Sequence, residues 1–97
     1  MSTPAHDTDS TFRLVRYAAD KLRPLVDRIP TAALRIDLYL GDARFERPWA
    51  IDIDIQRRDV DYTESWVANR VAATTTEDVD RLAGEVNQYV GKMRRAA

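Results

Sequence analysis

A chain of 97 residues, 44% hydrophobic and 32% charged, with a net charge of −1, has the composition of one ordinary globular domain. That near-neutral balance excludes a global field favouring nucleic acid, an anionic membrane or an acidic substrate, and the absence of cysteine excludes disulfides, thiolate catalysis and zinc–thiolate centres. No apolar run reaches the roughly 18–20 residues of a membrane span and no signal-peptide core opens the chain, which leaves the cytoplasm as the default location.

Arginine outnumbers lysine thirteen to two and aspartate outnumbers glutamate twelve to four. The bias points to GC-rich coding, as in an actinobacterium or its phage, so arginine abundance is not in itself a phosphate signal.

Residues 1–9 are polar, contain Pro4 and show no periodicity, which predicts a mobile tail ahead of a single α+β domain over 10–95. From Ser10 the pattern is helical. Val15, Ala18, Leu22, Leu25 and Ile29 recur at spacings of three and four, Phe12, Leu14 and Val26 widen the stripe, and Asp9 or Ser10 is placed to cap it. Pro24 lies inside this pattern and removes a backbone donor, so the helix either kinks there or stops near Leu22; Pro30 closes the segment in both cases.

Leu34, Ile36, Leu38 and Leu40 alternate with Arg35, Asp37 and Tyr39, predicting a first strand. After the loop 41–48, the run 49–56 predicts a second. Trp49, Ile51, Ile53 and Ile55 share one face and Asp52, Asp54 and Gln56 the other. Pairing Ile36 with Ile53 would set Arg35 opposite Asp54 and Asp37 opposite Asp52, one favourable pair and one mildly unfavourable. A third, weaker strand is expected around 65–73. Its expected faces are Val67 and Val71 inward, with Trp66, Ala68 and Arg70 outward; the competing register turns Trp66 into the core. Thr74 and Glu77 have capping-box spacing, and Val79, Leu82, Val86, Tyr89 and Met93 then form the stripe of a last helix.

The expected fold is therefore α+β in the order helix–strand–strand–strand–helix. A three-stranded antiparallel sheet with one apolar face is covered on that face by both helices. Its other face carries Tyr39, Asp52, Asp54, Trp66 and Arg70, the residues expected to form an interface.

Catalytic equipment is not visible. Asp52 and Asp54 stand about 7 Å apart on one side of a strand, without the turn glycine and spaced oxygens of a calcium loop, and nothing around them suggests a sugar cleft. His6, the one histidine, falls in the tail, and no G-x-S-x-G, phosphate-cradling loop or H-E-x-x-H occurs. No metal and no cofactor is expected, and the chain does not read as an enzyme.

The element order resembles the topology of the double-stranded RNA-binding domain, across about Ser10 to Arg95. That family lays a lysine-rich start of its last helix across phosphates. Here the corresponding residues are Thr75-Thr76-Glu77-Asp78-Val79-Asp80, so carboxylates stand where the family uses cations. None of its RNA-binding residues carries over, and a nucleic-acid role would rest on Arg44, Arg47, Arg57 and Arg58 in the turns. The leading expectation is a non-catalytic protein–protein interaction module, as a homodimer or as a phage accessory, immunity or assembly-type protein. Duplex RNA and DNA should accordingly give no mobility shift even at low salt, where phosphate-driven binding is strongest.

Overall fold

The computed structural model describes residues 8–39, 49–58 and 64–96. It contains helix α1 (Thr8–Val26), strands β1 (Ala32–Leu38), β2 (Ile51–Arg58) and β3 (Glu64–Ala73), and helix α2 (Thr76–Ala96). The strands form one antiparallel sheet in the order β1-β2-β3, and both helices pack on the same face of it. The expected architecture is the observed one. Leu40, the loop at 41–48, and the expected tail residues up to Asp7 lie outside the described residues.

The core is built on β2. Ile51, Ile53 and Ile55 are fully buried, and each contributes about 1.5–3 kcal/mol on removal from water. Leu14, Ala18, Leu22 and Val26 cover them from α1, and Val79, Leu82, Ala83, Val86 and Val90 from α2. The helices are also tied to each other: the Tyr17 hydroxyl donates to Asp80 at 2.5 Å, and the Lys21 ammonium lies 3.7 Å from the same carboxylate. That hydrogen bond to an anion holds the Tyr17 phenol above its usual pKa.

Several element ends differ from those expected. α1 begins at Thr8, which puts Asp9 and Ser10 inside its first turn rather than at its cap. It continues through Pro24 and ends two residues beyond. Because Pro24 has no N–H, the carbonyl of Asp20 loses its helical donor. The chain then tightens into three-residue bonds, from Arg28 N to the Leu25 carbonyl and from Ile29 N to the Val26 carbonyl. Ile29 is buried, but below the helix rather than on it. Thr31 then takes a positive φ of 60°, unusual for a β-branched residue, with its hydroxyl between the carbonyls of Pro30 and Arg58. This contact fastens the turn to the end of β2.

β2 starts at Ile51 rather than Trp49 and runs on to Arg58, so Arg57 and Arg58 belong to the strand and not to the turn after it. In β3 the simple alternation fails. Two register shifts lie opposite the stretch from Ile53 to Gln56, and Arg70 adopts φ 51°. Val71 faces inward as expected, whereas Ala68 pairs with Ile55 and is buried instead of facing out. Each extra residue in a bulge reverses the faces of those after it, which a period-two reading cannot track.

At α2 the cap sits one residue later than the Thr74/Glu77 spacing implied. Thr75 precedes the helix, and Asp78 accepts from the backbone N–H of Thr74 at 2.9 Å and of Thr75 at 3.2 Å. These bonds, with smaller help from the Thr75 hydroxyl and Arg81, hold the Asp78 carboxyl below its usual pKa. A lowered folded-state value stabilises fully above the unfolded pKa of about 3.9, and the contribution is lost as pH falls through the folded value. Asp78→Ala should therefore cost about 0.5–2 kcal/mol at pH 7. In urea unfolding, its deficit against the parent should shrink as the pH is taken below about 4.

Candidate functional site

The face of the sheet away from the helices carries Tyr39, Asp52, Asp54 and Trp66 of the five residues expected to form an interface, and Arg70 meets it through its backbone amide. On β1 and β2 the pairing is Arg35 with Asp54, Ile36 with Ile53, and Asp37 with Asp52, the register weighed from the sequence. Gln56 lies between Ala33 of β1 and Trp66 of β3, and Asp52 between Asp37 and Ala72.

Asp52 and Asp54 are held in different ways. Asp52 is only 4% exposed although it is on the outer face, and its Oδ2 accepts a 2.6 Å hydrogen bond from the Tyr39 hydroxyl. Tyr39 comes directly after β1, with its amide bonded to the Ala50 carbonyl, so the phenol is carried over the start of β2. Asp37, the cross-strand neighbour of Asp52, takes a different donor, the Arg35 Nε at 3.2 Å. The unfavourable pair of carboxylates is thus relieved by sending each to its own partner. The Arg35–Asp37 contact is exposed and adds at most about 1 kcal/mol.

Asp54 faces Arg35 in register, yet its Oδ1 accepts a 2.5 Å bond from the backbone N–H of Arg70. The positive φ of Arg70 and the bulge turn that amide toward β2. Arg70 therefore acts here through its main chain. Sequence reasoning missed this role; the one available signal was the poor alternation of β3.

Trp66 projects outward and is 47% exposed, which decides between the two registers considered for it. Ala33 and Ala72 are also exposed on this face. Beside Trp66, the Gln56 Nε2 is buried with no hydrogen-bond partner among the described residues. The result is a large aromatic side chain exposed beside Gln56, on a face whose aspartates find their partners within the chain.

Among the described residues no three histidine, aspartate or glutamate side chains gather to hold an ion, and no helix is long and apolar enough to cross a membrane. Of the turn arginines, Arg44 and Arg47 lie outside the described residues. Arg58 is exposed, whereas the Arg57 guanidinium is drawn to the helix layer, donating to the Tyr89 hydroxyl at 3.2 Å and lying 3.9 Å from the Met93 sulfur. Comparison with protein-family models, curated proteins and solved structures gives no match to this chain.

Tyr39→Phe removes the donor from a buried carboxylate and should lower stability by about 1–3 kcal/mol in urea unfolding. If the hydroxyl acts through Asp52, the same change made in an Asp52→Ala background should cost clearly less.

Proposed function

We propose that this chain is a non-catalytic protein–protein interaction module that docks a partner protein on the outer sheet face around Trp66. The observation that carries the reading is the exposure of Trp66, at 47%, on the outer sheet face beside Gln56. Large aromatic side chains on soluble surfaces concentrate at the energetic centres of interfaces, where they bury much area at little entropic cost. The surrounding carboxylates support binding rather than chemistry. Asp52 is engaged by Tyr39 and Asp54 by the Arg70 amide, so the face presents a preorganised polar rim. A phage accessory, immunity or assembly-type role fits such a module, and self-association is a second use of the same small domain.

Site-specific photo-crosslinking tests this in the producing cell. A benzophenone amino acid in place of Trp66 should give one discrete protein adduct, and the same group in place of Glu85 on α2 should not. Equal labelling at both positions, or none at 66, would count against the outer face as the docking surface.

A further inference from the structure

We infer that the chain forms a symmetric dimer in which β1 pairs antiparallel with β1 of a second copy, joining two sheets into one of six strands. This rests on the self-association part of the proposed function, and places it at the edge of the sheet rather than on its outer face.

The two edges of the sheet are unlike. β3 is interrupted by two register shifts and by Arg70 at positive φ, features that spoil an edge for pairing. β1 is regular, and its register with β2 runs unbroken from Ala32 to Leu38. It contains no proline and no lysine, the usual blocks to edge pairing. The bonds from Arg58 N to the Thr31 carbonyl and from Tyr39 N to the Ala50 carbonyl show that odd-numbered residues direct their backbone groups toward β2. By alternation, Leu34, Ile36 and Leu38 direct theirs to the outside.

A strand that pairs with its own copy through these residues has few registers to choose from. Centring the two-fold on Arg35 sets arginine against arginine, and centring it on Asp37 sets aspartate against aspartate. Centring it on Ile36 pairs Ile36 with itself and Leu34 with Leu38 of the second copy. It also sets Arg35 opposite Asp37 twice, once on each side of the axis. This register alone is complementary in both charge and hydrogen bonding.

The helix layer supports the same axis. Leu34, Ile36 and Leu38 face the core yet stay only partly buried, while their β2 partners Ile51, Ile53 and Ile55 are fully buried. The core thus thins toward β1. On α1, Tyr17 and Lys21 point toward α2, where both reach Asp80. At 100° per residue, Phe12, Val15 and Ala19 fall on the opposite side, above the β1 edge. Phe12 is 51% exposed, and Val15 and Ala19 are only partly covered. α1 touches both β1 and β2. Its axis between them would place the two copies of α1 about 10 Å apart, the normal spacing of packed helices. The second copy would then cover the Phe12–Val15–Ala19 stripe.

Sedimentation at high micromolar concentration, with charge reversals, tests the pairing. The parent chain should run as a dimer. Arg35→Asp or Asp37→Arg alone should weaken it at least tenfold, and the double reversal should restore it. A monomeric parent, unweakened single variants or an unrestored double variant would overturn the proposal. Should a reversal fail to fold, cysteines report the register instead. Mixed Arg35→Cys and Asp37→Cys chains should oxidise to a covalent dimer and neither should do so alone; cross-linking of Arg35→Cys with itself, or no cross-linking in the mixture, would overturn it. A monomeric chain that still cross-links through position 66 would end this proposal and leave the outer-face reading standing.

Discussion

The structure depends on one constraint, the complete burial of the isoleucine row of β2. A strand cannot turn one face to the core without turning the other away from it, and β2 is central, so its two faces have opposite duties over the same residues. On one side three isoleucines with no solvent exposure demand cover, and α1 and α2 supply it. On the other side the same strand places Asp52 and Asp54 between two neighbours, where water is partly displaced and donors must come from the protein.

The donors found are informative. Asp52 is met by a tyrosine hydroxyl just beyond β1, and Asp54 by a backbone amide in a bulge of β3. Both partners are anchored through the main chain, one by the bond of the Tyr39 amide to the Ala50 carbonyl and the other as a backbone amide itself. The outer face is thereby preorganised, and Trp66 is presented on a surface whose polar groups need little rearrangement. Binding through such a face loses little ordering entropy, the usual advantage of a fixed scaffold for recognition.

The same constraint makes the two sides of the sheet unequal. β3 bends around Asp54 with two irregularities, which spoils it as a pairing edge, whereas β1 tracks β2 residue for residue and stays regular. The apolar cover over β1 is also thinner, since among the described elements α1 alone packs above that edge. The proposed outer-face docking and the proposed edge pairing therefore call on different surfaces.

The alternation of apolar and charged residues in β1 and β2 was enough, read alone, to determine the two strands, the face each one buries and the two-helix cover. Hydrophobic burial acts on every second side chain, and a slip by one residue would expose all of them. The helix stripes were legible for the same reason, down to Leu22 and Val86. Tertiary structure decided the features that have no period. The bulges of β3 buried Ala68 and brought the Arg70 amide to Asp54, because an extra residue matters only once a partner strand fixes what it faces. It also decided that α1 could carry Pro24 in its last turn and that Asp78, not Glu77, caps α2. Which of several adjacent donors and acceptors meet at a helix end depends on the path of the chain into it, and that path is set by packing against the isoleucines of β2.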